Sequence, residues 1–337
     1  MFATERNWEG GSDRPPRLSG PIRDRGHPEK SIREETMVNA ISRPRALHGH
    51  WKRHASAYLF LAPSCLILLV FVAYPIVQSL WMSLHDWSFF ESHHRWIGFG
   101  NYRELLHDSR FWNALKNTAI YTVCVVPAQV CLGLALAIAL QRTIRINRSL
   151  QSVYFFPVIS ALATMGIVWK FLLDPTIGII PHVLETIGLA SPDFLQSTSW
   201  ALPSIIVVGV WKSVGFSMVI FLAALQDVPE SLLEAAALDG AGAWTRFRRV
   251  TLPFLRPSML FAAIIAMIAS MQLFDLVYVM TRGGPLFHTE TLVTYLYQVG
   301  FQDFRSGYAA AISWVLFVLI LLLSIVQLRL FRYDEVD

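Results

Sequence analysis

Six apolar stretches of about 20 residues each dominate this chain, near positions 58–80, 118–140, 154–172, 202–224, 259–280 and 309–328. A helix of that length crosses a hydrocarbon core of roughly 30 Å. No stretch shows the alternating pattern of a membrane barrel strand. Lipid offers no hydrogen bonds, so each crossing segment must satisfy its own backbone, which a helix does. The stretches therefore predict an all-α fold, a polytopic helical membrane protein with six transmembrane helices. Of the 337 residues, 54% are apolar and only 15% charged, against about a quarter charged in soluble domains.

Basic residues orient the chain. Stretch 1–54 holds 11 Lys and Arg, 141–153 three, the loop around Glu234 four and the C-terminal end two. Stretches 85–112, 173–201 and 281–307 hold three, none and two. The excess of positive charge on the inner side of membrane proteins predicts that both termini and the Glu234 loop are cytoplasmic, in a cell inner membrane. The net charge of +4 follows from this bias and implies no nucleic-acid partner. Trp81, Trp87, Trp96 and Trp112 cluster around the first external loop, as an aromatic belt would.

Two domains are predicted: a disordered cytoplasmic extension over 1–54, with Met37 as an alternative start, and a transmembrane domain over 55–337. The extension is rich in Pro, Gly, Arg and Glu and too polar to bury a core. Cys65, Cys124 and Cys131 lie within predicted spans, where small hydrophobes pack between helices. The ten His residues lack ligand spacing and are expected to be solvated, so no metal site is predicted. No Gly-x-x-x-x-Gly-Lys-Ser/Thr loop is present to cradle phosphates, and no catalytic pair or cofactor motif occurs. Any ATP chemistry belongs to a separate polypeptide.

One loop, 226–257, is a polar island between the fourth and fifth spans. Asp227 and Pro229 suit a helix start, and Leu232 to Leu238 are strong helix formers. Gly240 and Gly242 can take positive φ, so the first helix stops there. A second runs from about Ala243 to Val250 and ends before Pro253, because the residue before proline leaves the helical region. Arg246, Arg248 and Arg249 decorate it. Composition alone leaves two readings open: a protruding knob with a small-residue face for a partner, or an amphipathic helix lying on the inner leaflet.

The run Glu234-Ala235-Ala236, Asp239-Gly240-Ala241, Phe247, Val250 and Leu252-Pro253 resembles the Glu-Ala-Ala loop of membrane permeases of binding-protein-dependent ATP-binding-cassette importers. The Phe274-Asp275 to Thr281-x-Gly283-Gly284-Pro285 exit, Gly98-x-x-Asn101-Tyr102, Phe111-Trp112-x-Ala114-Leu115-x-Asn117-Thr118 and Gly307-Tyr308-Ala309-Ala310 resemble the sugar-importing branch. The likeness covers about 55–332. It implies a type I importer permease for an oligosaccharide, disaccharide or glycerol-phosphate-like solute. The implied partners are a cytoplasmic ATPase dimer, a second homologous permease, an extracytoplasmic solute-binding protein and the lipid bilayer. Glu234, Ala235, Ala236, Asp239, Gly240, Ala241, Arg246, Phe247, Leu252 and Pro253 would then couple to the ATPase.

Polar residues within spans are expensive in lipid and commonly face a cavity. Trp211, Lys212, Ser213 and Phe216 on the fourth span, with Ser270, Gln272 and Asp275 on the fifth, are candidates for a substrate path. Lys212 could equally pair with a neighbouring helix, and Asp275 could cap a helix end. The alternative to an ATP-driven importer is an ion-driven secondary transporter of a polar solute, which has no use for a docking loop.

Overall fold

The computed structural model describes residues 48–88, 90, 94–141 and 145–332. Residues 1–47, which carry Met37 and most of the stretch expected to lack order, lie outside the described residues. The chain divides into two units, 1–67 and 68–337. The first is described only from the start of α1 (His48–Leu68), a helix that reaches back into stretch 1–54. The second holds everything that follows.

Proline governs the start of the second unit. A π-helical turn, Leu69–Ala73, precedes α2 (Tyr74–Ser83), which carries Pro75 in its first turn. Widening the helix there accommodates the N–H that proline lacks. A two-residue antiparallel ladder pairs β1 (His85–Asp86) with β2 (Arg95–Trp96), followed by α3 (Gly100–His107) and the 32-residue α4 (Ser109–Leu140). Then come α5 (Arg145–Ile159), α6 (Leu162–Leu172), α7 (Ile179–Thr186) and α8 (Ala201–Gln226). The remaining elements are α9 (Glu230–Leu238), α10 (Ala243–Arg246), a π-turn over Phe247–Thr251, α11 (Leu252–Phe254), α12 (Arg256–Met271), α13 (Asp275–Met280), α14 (Leu292–Tyr297), a π-turn over Gln298–Gln302 and α15 (Ser306–Arg332).

Among the described residues, four stretches are long and apolar enough to cross a membrane unbroken, and two bent pairs bring the possible total to six. The third predicted span, 154–172, is one of the bent pairs rather than a straight helix. Its halves, α5 and α6, meet at 102°. Pro157 removes a backbone donor, and Ala161 is extended at φ −61°, ψ 133°. The carbonyls released at the break find other donors: Lys212 Nζ reaches Val158 O at 3.0 Å, and Ser160 Oγ reaches Phe156 O at 3.1 Å. The fifth predicted span, 259–280, is also interrupted, between Met271 and Asp275. There the Leu273 carbonyl accepts from Thr291 Oγ1 at 2.7 Å. Both breaks place polar groups where an unbroken helix would have none.

Three buried clusters run along α4. At its first turns Phe111 and Ala114 pack with Leu292, Tyr295 and Tyr308. Midway, Tyr121 and Val125 meet Ile205, Val208, Leu276 and Val277. At its far end Val130, Leu134 and Ala137 meet Met218, Phe221 and Leu255. Between α4 and α8, Gln129 Nε2 donates to Ser217 Oγ at 3.0 Å, both groups buried. On α8, Gly215 lets the backbone of α5 come close: a Cβ there would lie 2.2 Å from the Tyr154 carbonyl oxygen. Gly215→Val is expected to lower stability by about 2 kcal/mol, because backbone cannot yield as a side chain can. Thermal unfolding in detergent, compared with the exposed Val207→Ala, checks this.

Two smaller expectations fail. Cys65, Cys124 and Cys131 are exposed rather than packed between helices; α4 turns its Val125–Gln129 side to the core instead. His85, expected to be solvated, is buried with Nδ1 2.7 Å from Trp81 O.

Candidate functional site

The Glu234 loop forms a projecting helix pair. Asp227 ends α8 and does not cap α9; Pro229, extended at ψ 125°, takes the position before the helix. Proline favours that conformation and needs no donor there. The end of α9 follows the Schellman pattern, in which two backbone donors beyond the helix satisfy its last carbonyls. Gly240 N donates to Ala237 O at 3.0 Å and Ala241 N to Ala236 O at 2.9 Å. Gly240 sits at φ +81° with open space around it, while Gly242 is extended at φ −65°. The second helix does not stop before Pro253. It widens into the π-turn Phe247–Thr251 and continues as α11, then bends by 63° towards α12.

The loop has an inner and an outer side. Phe247 and Leu252 pack towards Leu255 and the ends of α4 and α8. Glu234, Ala235, Asp239, Gly240, Arg248 and Arg249 are exposed, with Ala236, Ala241, Arg246 and Pro253 half-buried. Glu234 has no hydrogen bond or ion pair among the described residues. Leu238 is 90% exposed and Trp244 71%, an apolar tip that water does not favour. Behind Trp244 lies an open cavity of about 580 Å³ lined by Ile138, Leu225, Leu233 and Phe247.

The candidate path residues are not drawn into one cluster. Trp211 is partly exposed and edge-on to Trp169, with ring centroids 5.3 Å apart. Lys212 is buried and directed to Val158, Ser213 Oγ donates to Gly209 O of its own helix at 2.6 Å, and Phe216 is half-buried. On the other strand of the path Ser270 is buried, while Gln272 and Asp275 are exposed. Among the described residues no hydrogen bond links the two groups. Helices α8 and α13 meet instead through Ile205, Val208, Leu276 and Val277. No group of three or more His, Cys, Asp or Glu among the described residues is placed to hold a metal.

Sequence reasoning missed a polar clasp at the other end of the helices. Arg110 donates from Nε and Nη2 to Glu290 Oε2 and Oε1 at 2.8 and 2.7 Å, and from Nη2 to Gln298. Asn117 Nδ2 donates to the carbonyls of Phe287 and Glu290, each at 3.0 Å, and Asn113 Nδ2 to Phe287 O at 2.8 Å. The two amides hold Phe287 at φ +61°, an unfavourable conformation for a bulky residue. Thr118 Oγ1 accepts from Leu292 N at 3.0 Å. These residues are far apart in sequence, so only the family-like motifs that contain Asn117, Thr118 and Tyr308 hinted at them.

Asp108 anchors the same clasp, accepting from the hydroxyls of Tyr295 and Tyr308. Burial pushes its carboxyl up, but those hydroxyls and the backbone N–H groups of Phe111 and Arg110 outweigh it and hold the group below its ordinary value. A depressed carboxyl stabilises the fold fully above the ordinary carboxylate range, and this is lost as pH falls through the lowered value. Acid unfolding of Asp108→Asn is therefore expected to show a shallower loss of stability below about pH 4 than the native chain. Unfolding midpoints between pH 3 and 7 measure it.

A multi-pass helical protein with a projecting, hinged loop and broken membrane helices is the class these features define. The chain belongs to the binding-protein-dependent transport system inner membrane components, whose family model matches residues 114–333. It is 36% identical over 280 residues to the lactose transport system permease protein LacF of Rhizobium radiobacter, covering 81% of this chain and 92% of that one. To the sn-glycerol-3-phosphate transport system permease protein UgpA of Escherichia coli it is 32% identical over 279 residues, covering 82% and 93%. A bacterial transporter importing the acidic polysaccharide alginate shares the fold, with a TM-score of 0.75 at 24% identity over 85% of this chain and 98% of that one. This is a membrane permease subunit rather than an enzyme.

Proposed function

We propose that the chain is the translocating subunit of an ATP-driven importer for a carbohydrate handed over by an extracytoplasmic binding protein. Its energy comes from a separate ATPase dimer, and a second, homologous permease completes the path. The Glu234 loop lies in the cytoplasm with both termini. Glu234, Ala235, Ala236 and Asp239 present a small-residue, acidic helix to a cleft of the ATPase, with Arg246, Arg248 and Arg249 at its rim. Phe247, Leu252 and Pro253 tie that helix to the membrane helices, so a push on the knob moves α8 and α12.

The observation that carries this reading is the exposure of Glu234 and Leu238 on a helix whose end is fixed by Gly240 and whose base is packed into the helical bundle. An isolated charged and apolar tip of this kind is a binding surface waiting for a partner. The test is reconstitution with the ATPase and second permease in proteoliposomes. ATP hydrolysis that rises with the loaded binding protein, and uptake blocked by vanadate, are expected. Uptake driven by an ion gradient without ATP contradicts the reading.

A further inference from the structure

At the end of α8 remote from the Glu234 loop, the short helix α7 carries three distinct sides. At about 100° per residue, Ile180, Pro181 and Leu184 share one side, which is buried or half-buried, and Ile180 packs onto the cluster of Leu173, Leu276 and Met280. Ile179, Val183 and Ile187 share the next, 65, 51 and 63% exposed. His182, Glu185 and Thr186 share the third, also exposed. A helix between protein and water needs only two sides, one apolar and one polar. A second apolar side set between them matches a helix at a membrane surface, with protein beside it, hydrocarbon beneath and water above.

The neighbours of α7 fix its height. Gly178, directly before it, abuts the last residue of α6: a Cβ there would lie 2.7 Å from the Leu172 carbonyl oxygen and 2.4 Å from that of Asp174. Gly178 N closes this turn on Asp174 O at 2.9 Å, and Asp174 Oδ1 accepts from Thr176 N at 2.9 Å. The helix α6 is half of a bent membrane span, and its exposed Ile167 and Phe171 carry an apolar surface towards that turn. On the other side Ile180 and Trp200 line one cavity. Trp200, half exposed, directly precedes α8, which is long enough to cross a membrane unaided. Tryptophan at the end of a span marks the boundary between hydrocarbon and headgroups. Stretch 173–201 has no Lys or Arg but holds Asp174, Glu185 and Asp193, so anionic headgroups do not attract it and its contact with lipid is apolar.

We propose that α7 is a membrane-surface helix whose Ile179, Val183 and Ile187 insert among acyl chains at the edge of the bilayer, with His182, Glu185 and Thr186 in water. Lipid covers this apolar side, not the second permease or the binding protein. The helix thereby ties the adjoining ends of α6 and α13 to the plane of the bilayer. Only the choice of leaflet, the outer one, rests on the importer reading above.

The experiment places a nitroxide on Val183→Cys or on Glu185→Cys, in a chain whose exposed Cys65, Cys124 and Cys131 are replaced by Ala. Each labelled chain is measured in phosphatidylcholine nanodiscs, alone and assembled with the second permease, the ATPase and the binding protein. Oxygen concentrates in hydrocarbon and a nickel chelate stays in water, so the ratio of their collision rates with the label reads depth. The ratio at Val183 is expected to exceed that at Glu185 about fivefold, as for an apolar face sunk below the headgroups, in the chain alone and in the assembly alike. Equal ratios at the two positions put the helix in water and overturn the proposal. Loss of both kinds of collision at Val183 on adding the second permease or the binding protein makes this side a protein interface and also overturns it. The expected ratio in a chain whose assembly hydrolyses no ATP upholds the lipid contact and strikes the importer reading instead.

Discussion

Gly240→Pro is expected to cut uptake on the order of a hundredfold, while the chain still inserts and its helices remain folded. Proline fixes φ near −65°, whereas this turn needs +81°. It also removes the donor that bonds the Ala237 carbonyl. A side chain added at Gly240 would meet nothing within 4 Å, so the damage stays in the knob. Glu234→Ala should lower uptake on the order of tenfold, the usual cost of truncating one anchor in an interface. Because Glu234 is exposed and unpaired among the described residues, its loss leaves folding untouched. Thermal unfolding near native with uptake reduced and hydrolysis uncoupled is the expected pattern; uptake at the native rate in either variant removes the docking role.

Arg110→Met should be the most destabilising single change at the opposite end. Its partner Glu290 is 3% exposed in its side chain, and Arg110 itself 25%. Removing the guanidinium strands a buried carboxylate, at a cost of about 3 kcal/mol. It also removes the cation from above the Phe287 ring, 4.1 Å away. Combining Arg110→Met with Glu290→Gln leaves no uncompensated charge and should recover most of the loss. Unfolding in detergent that fell equally in the single and double variants would show that packing, not charge, holds this corner.

The membrane helices and the knob were legible in the sequence because their causes are local. Twenty-residue apolar runs have one solution in lipid, and Glu234 to Gly240 carries both helix formers and the turn that ends them. The breaks were not legible. Proline is tolerated in membrane helices when neighbours re-satisfy the backbone, and whether Pro157 bends α5 depends on Lys212, more than 50 residues away, donating to Val158. Likewise Pro253 was expected to stop a helix, yet the π-turn before it lets the helix pass. The clasp of Asp108, Arg110 and Asn117 with Glu290 and Tyr308 depends on pairs about 170 to 200 residues apart. Of the path candidates, Trp211, Gln272 and Asp275 are exposed, whereas Lys212 is buried and donates to Val158 at the bend.

Hydrogen exchange across 230–251, on the chain in lipid nanodiscs with and without its ATPase, tests the central claim most directly. Exchange in Glu234 to Gly240 that slows further when the ATPase is added is the predicted result. Exchange left unchanged by the ATPase would mean that the helix pair docks on no motor and transmits no force.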